Sequence, residues 1–404
     1  MAALDSFKTP GELNGLRSLA LGVGGIGTLV WAVGLYLDPE QALRSWLLGF
    51  IFWGGIGIGA IGLIMLQYLT GGAWGVVLRR TFEAASRTLP VIILLFVPIA
   101  VGVTRLYEWT HLPPEEHIIV ERGWYMTVWG WTLRSVIYFA IFGVIVYLLN
   151  KWSANQDASK DYEESALWLG RASAFSGPTM VIFALTVTFA AVDWVMTLEP
   201  HWFSTIWGLL FVVGWSLSCI CFSVVLLAFL HDKVPMDRVL GRRHFHDFGK
   251  LMLALVMVWA YFNFSQYLII YSGNIPEETG WMIKRSTGGW GWVAWALILF
   301  HFAVPFLILL QQGLKRRPVR LAGVAIFILF MRLVDMLFLI GPSPRIDTHG
   351  AAQGAFIISW MDLVAPIAVG GIWVWYFLGE LMKRPLVPVM DPFLDNAIEH
   401  GHGH

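Results

Sequence analysis

The chain has 404 residues, of which 57% are hydrophobic and 13% charged, and its 27 basic and 27 acidic residues cancel. A soluble domain is typically about one-quarter charged, so this balance excludes a soluble globule, a disordered segment and a basic nucleic-acid binder, and leaves an integral membrane protein. The two cysteines, Cys219 and Cys221, exclude a disulfide framework and read as small apolar fillers.

A helix needs about 20 mostly apolar residues to cross the hydrocarbon core. Ten such stretches are predicted in chain order: about 16–36, 45–69, 88–109, 124–150, 175–198, 205–231, 248–272, 290–312, 319–341 and 355–380. They are too long for barrel strands. The first follows Lys8 and Arg17 and precedes no small-residue cleavage site, so it is expected to be a retained helix. The first two spans each hold a GxGxxG string, Gly22 to Gly27 and Gly57 to Gly62. Inside apolar spans with no strand before them, these predict close helix approach, not nucleotide binding. Nine tryptophans near span ends (Trp109, Trp124, Trp129, Trp131, Trp202, Trp207, Trp281, Trp290 and Trp292) are expected to serve mostly as belt anchors.

With the N-terminus in the cytoplasm, 19 of the 27 Lys and Arg residues fall in cytoplasmic segments, and five (Arg44, Arg122, Lys284, Arg285 and Arg345) fall in outer loops. This excess predicts that both termini are cytoplasmic. Two halves of the chain also look alike. Trp129-Gly130-Trp131 matches Trp290-Gly291-Trp292, Val77-Leu78-Arg79-Arg80 matches Val239-Leu240-Gly241-Arg242-Arg243, and Val192-Asp193 to Pro200 matches Val334-Asp335 to Pro342. The copies cover four spans each, an even number, so they form a parallel repeat. The expected fold is an all-α polytopic membrane protein with two four-helix bundles and two peripheral helices. Its parts are 1–44 (N-terminal segment and first helix), 45–203 (first bundle), 204–345 (second bundle) and 346–404 (tenth helix and cytoplasmic tail). The tail histidines His400, His402 and His404 are expected to be solvated, as are His244 and His246.

Ionisable groups at membrane depth are costly and face a bundle interior or a wet cavity. The spans carry Arg105, Glu108, Arg134, Asp193, Glu199, His301, Arg332, Asp335 and Asp362. The predicted orientation puts His301 and Arg332 near mid-depth and the others towards the outer side. The inner half is left with hydroxyls, Thr186, Ser216, Ser218 and Ser223. Arg332 and Asp335 are three apart and can pair on one helix face. Asp193 has no partner on its own helix, which points to proton relay. Each pair could equally be a structural clamp. Only His301 lies well inside a span, so a span-held haem is excluded, and no iron–sulfur spacing or metal motif occurs.

Three strings then carry a resemblance: Leu198-Glu199-Pro200-His201-Trp202-Phe203-Ser204-Thr205, His246-Asp247-Phe248-Gly249-Lys250, and Phe264-Ser265-Gln266-Tyr267-Leu268 with Gly273-Asn274-Ile275-Pro276-Glu277-Glu278. With ten spans and a duplicated core, the chain resembles the NrfD/PsrC-type quinone-interacting membrane subunits. The narrower likeness is to the smaller, ActF-type subunits of alternative complex III, a bacterial quinol:electron-acceptor oxidoreductase. The resemblance implies a bacterial inner-membrane subunit without its own redox centre, with menaquinone or ubiquinone near it. The implied partners are a larger NrfD-like subunit, an iron–sulfur subunit, c-type haem subunits, quinol and lipids, with a periplasmic cytochrome c, a copper protein or a terminal oxidase as acceptor. In that setting Asp193, Asp335 and Asp362 would relay protons, with Arg134, Glu108 and His301 as further candidates. Arg332 would tune Asp335, and Glu199 and His201 would release protons outward. The competing readings are a purely structural anchor for redox subunits and a secondary transporter.

Overall fold

The computed structural model describes residues 9–346 and 356–402, and no strand occurs among them. The long helices are α1 (Glu12–Leu37), α2 (Pro39–Thr70), α3 (Ala73–Ser86), α4 (Leu89–Val101), α5 (Val128–Asp157), α6 (Tyr162–Trp194) and α7 (Trp207–Leu230), followed by α8 (Arg242–Gly273), α9 (Pro276–Ser286), α10 (Gly288–Leu310), α11 (Pro318–Ile340), α12 (Met361–Leu381) and the short α13 (Leu394–His402). Among the described residues nine helices are long and apolar enough to cross a membrane by length and composition. The third expected span is the exception. α4 has only 13 residues and stops at Gly102, before a four-residue turn, Val103–Leu106. At about 1.5 Å per residue α4 reaches roughly 20 Å, short of the ~30 Å core. It forms a pair with α3, bent by 41°, that passes the same test as a unit.

Local sequence sets the helix boundaries. Asp38 ends α1 and caps α2, its carboxylate accepting from Gln41 N at 3.0 Å, with Pro39 at the first helical position. Thr127 caps α5 and Asp161 caps α6 in the same way. Asn274 closes α8 in the left-handed region (φ 47°), and Pro276 starts α9.

α2 is the centre of the molecule. Its apolar window is 94% buried, and α12, α7, α3, α6 and α4 pack around it. α7 is the second hub, between α2, α11, α8 and α6. Glycines allow this crowding. A Cβ on Gly59 would lie 2.6 Å from the Trp215 carbonyl oxygen of α7, and one on Gly371 would lie 2.4 Å from Gly24 N of α1. The two GxGxxG strings therefore lie at tight helix crossings, as side-chain-free surfaces do.

α1 runs antiparallel to α12, and an ion pair between Lys233 and Glu12 fixes its start beside the end of α7. The two ends of the described chain thus share one face of the bundle, here termed the termini end. His400 and His402 are exposed, as expected, but the tail that carries them is docked on the bundle. α13 packs on α3 and α8, Asp391 pairs with the fully buried Arg79, and His400 meets Asp247 at 2.9 Å. His244, expected to be aqueous, is instead 0% exposed. It accepts from Gly241 N through Nδ1 and contacts the Ala397 carbonyl at 2.9 Å through Nε2, which makes it a neutral imidazole with a protonated Nε2. His404 lies outside the described residues. The tryptophans also differ from expectation. Trp124, Trp129 and Trp292 are exposed, while Trp109, Trp131, Trp202, Trp207, Trp281 and Trp290 are buried packing residues. Span-end position does not show which way an indole points.

Candidate functional site

The buried charges of the expected spans gather into separate clusters between the middle of the helices and the end opposite the termini. The first is built on α5 and α6. Asp193 is 0% exposed and accepts from Arg134 through Nε (2.8 Å) and Nη2 (3.0 Å) and from Tyr138 Oη (2.7 Å). Arg134 is held in turn by the Tyr125 carbonyl at 2.8 Å and lies 3.6 Å over the Tyr125 ring. The Asp193 carbonyl accepts from Trp131 Nε1 and Thr197 Oγ1. Asp193 therefore has a cationic partner, contributed by the neighbouring helix, where sequence spacing could not show it.

The second cluster joins α7, α8, α10 and α11. Arg332 pairs with Asp335 on one helix face, and Trp259 Nε1 donates to Asp335 at 3.0 Å. Gly214 makes room for the guanidinium, since a Cβ there would be 2.1 Å from Arg332 Nη2. The ring of His301 stands edge-on to Trp259, with centroids 4.1 Å apart. His301 is 0% exposed, and neither ring nitrogen has a hydrogen-bond partner among the described residues. Its backbone lies in a π-helical turn, Leu297–Ala303, that interrupts α10. Such turns displace side chains from the regular helical face and recur at functional sites.

Two further groups lie nearer the end of the bundle. Asp362 accepts from Gln41 Nε2 (2.8 Å), Ser45 Oγ (2.6 Å) and Ser359 N (2.8 Å). With Gln41, Arg44 and Arg345 it lines a cavity of about 10 Å³, room for about one water. Glu199 binds Arg285 (2.8 Å) and Lys284 (3.1 Å), both on α9. Burial lowers the Arg285 pKa, and Glu199 opposes that shift. Arg285 also donates to the Leu339 carbonyl at 2.8 Å and lies 3.9 Å over Trp281. Glu108 falls in a turn after α4 and Val103–Leu106, half-buried, and burial raises its pKa against the influence of His201. His201 is exposed.

Sequence reasoning missed a further buried ionic network, at the termini end. Glu83 binds Arg80 (2.7 Å) and Arg384 (3.3 Å), Arg80 also pairs with Asp157, and Arg87 binds Glu380 at 3.1 Å. These arginines were expected in cytoplasmic segments. Arg79, Arg80 and Glu83 are at most 2% exposed, paired inside the protein. The run Arg79-Arg80 with Glu83 at i+3 was the available signal.

Little links the two ends. On α5 the buried residues between Tyr138 and Asn150 are Phe139, Phe142, Ile145 and Leu149, an apolar stretch of about 18 Å. Thr186, Ser216, Ser218 and Ser223 each donate to the carbonyl four residues earlier on their own helix. Among the described residues no group of three or more His, Cys, Asp or Glu could hold a metal ion.

Fold and site together define a multi-pass α-helical membrane protein with buried ionic clusters near both ends of its helices. Neither the protein-family models nor the curated proteins compared with this chain give a match.

Proposed function

We propose that the chain is a cofactor-free integral subunit of a quinol:electron-acceptor oxidoreductase of the alternative complex III type, in the bacterial inner membrane with both termini cytoplasmic. On this reading the bent α3–α4 pair counts as one of ten spans, and α2–α11 form two parallel repeats flanked by α1 and α12. The basic termini end supports the orientation. The aligned residues Asp193 and Asp335 each pair with an arginine and neighbour an indole donor, which supports the repeat. The strings behind the resemblance also converge. Glu199 binds α9, which begins at the Pro276 string, and Ser204 contacts Gln266 at 3.3 Å.

The observation that carries the proton-handling part is His301. A buried polar group without a partner in a native fold calls for an explanation, and a catalytic role is one. Oxidation of a quinol to a quinone releases two electrons and two protons, and an imidazole nitrogen without a hydrogen-bond partner among the described residues is open to accept one proton. Electrons would pass to iron–sulfur and haem centres in partner subunits. Asp193, with three side-chain hydrogen bonds and no exposure, favours the anchor reading for the first cluster.

The test is to solubilise the tagged full chain from its native membrane in mild detergent. Co-elution of c-type haem with quinol-oxidising activity is expected, and His301→Leu should lower turnover at unchanged haem content. A chain that elutes alone overturns the oxidoreductase reading. A fully active His301→Leu complex leaves an anchor.

A further inference from the structure

At the termini end a groove of about 560 Å³ lies between α1 and α12, lined by Asn14, Arg17, Ser18, Leu21, Gly22 and Trp375. Arg17 stands out. It makes no hydrogen bond or ion pair among the described residues, and its Nε is buried without a partner. Its guanidinium lies 5.5 Å from the Trp375 ring centroid and rests over Gly379, where a Cβ would be 3.1 Å from Nη2. The side chain is thus held in place, and no counter-charge meets it among the described residues. The nearest acids on the packed elements are already engaged: Glu12 with Lys233, and Glu380 with Arg87 and Lys383.

Depth gives the charge a meaning. Arg17 is five residues into α1, about 8 Å from its start, and Trp375 is six residues before the end of α12, about 9 Å from it. Both lie where an apolar span meets the headgroup layer, the usual level for Trp and Arg anchors. Below them the groove turns apolar. Leu21 is exposed, and Gly22 has nothing within 4 Å of where a Cβ would be, which leaves an open channel along α1. The site therefore presents a cation and the Asn14 amide at headgroup level with an apolar channel beneath.

We propose that this groove binds one anionic glycerophospholipid, its phosphodiester on Arg17 and Asn14 and an acyl chain along Leu21 and Gly22. The site lies at the other end of the molecule from Asp193, Asp335 and Glu199, and it stands whether or not the oxidoreductase reading does.

The experiment uses the full chain with whatever assembles with it, delipidated in detergent. Retained lipid is counted by native mass spectrometry, and thermal unfolding is followed with added phosphatidylglycerol, phosphatidylcholine or inorganic phosphate. Wild type should bind phosphatidylglycerol about fivefold or more tightly than Arg17→Gln, the worth of one interfacial cation. Gly22→Leu, which fills the channel without touching Arg17, should also weaken binding. Arg171→Gln, at an arginine that stacks on Trp168 at 4.6 Å on another helix, should not. Equal binding by wild type and Arg17→Gln, or equal preference for phosphatidylcholine, overturns the proposal. Stabilisation by inorganic phosphate alone, matching that by phosphatidylglycerol, would make this a soluble-anion site and overturn it as well.

Discussion

Removing the Asp193 carboxylate separates the two uses a buried ion pair can have. Asp193→Leu leaves the Arg134 guanidinium, 9% exposed, with the Tyr125 carbonyl and ring but no counter-charge, and frees the Tyr138 hydroxyl. Breaking a buried pair from one side typically costs about 3–5 kcal/mol, because the remaining charge is desolvated without compensation. Arg134→Met should cost a similar amount, since it strands a carboxylate that is 0% exposed. Replacing both partners removes both stranded charges, so Asp193→Leu with Arg134→Met should retain more stability than either single variant. Unfolding of the detergent-solubilised chain against a denaturing detergent gives the three values. Turnover of the assembled complex supplies the second axis: a clamp survives the double replacement with activity intact, whereas a relay loses it. Single variants that unfold like wild type, or a double variant that loses the sum of the two single costs, would refute the clamp argument.

His301→Leu keeps roughly the same volume and removes two unpartnered ring nitrogens, so it should raise unfolding stability by about 1–3 kcal/mol even as it lowers turnover. A loss of stability would mean that the imidazole is satisfied and structural. Gly371→Leu drives a side chain into Gly24 of α1. Overpacking of about 1–3 kcal/mol or more should part α1 from α12, detected as loss of a cross-link engineered between Gly34 of α1 and Met361 of α12, which face each other. Truncation after Arg384 removes Asp391 and α13 together, which strands Arg79 and uncovers His244. Destabilisation of about 3–5 kcal/mol is expected, with His244 newly open to imidazole-modifying reagents, and unchanged protection of His244 would contradict the docked tail.

Span-scale hydropathy made the helices legible, because the bilayer imposes one length on every crossing; the ends of α7, α10 and α11 fall within two residues of expectation, whereas α6 begins at Tyr162, 13 residues before the expected 175. α4 escaped that logic. The window at 88–109 is apolar enough, yet Gly102 interrupts the helix, and packing against α2 rather than length holds it in place. The titratable candidates were also legible one at a time, since a charge in an apolar run is conspicuous. Their partners were not. Arg134 meets Asp193 across 59 positions of sequence and Glu199 meets Arg285 across 86, and neither separation leaves a periodic trace.

Composition and periodicity thus determined that this is a helical membrane chain, how many apolar runs it has and which of its side chains are costly to bury. Those are properties of each segment and its solvent. Tertiary structure decided which costs are met. It closed Asp193 and Asp335 into ion pairs, docked the tail onto Arg79 and His244, and left His301 and Arg17 without hydrogen-bond partners among the described residues. The reason is geometric: a hydrogen bond is made or lost over less than an ångström, and such distances arise only when helices far apart in sequence are packed together.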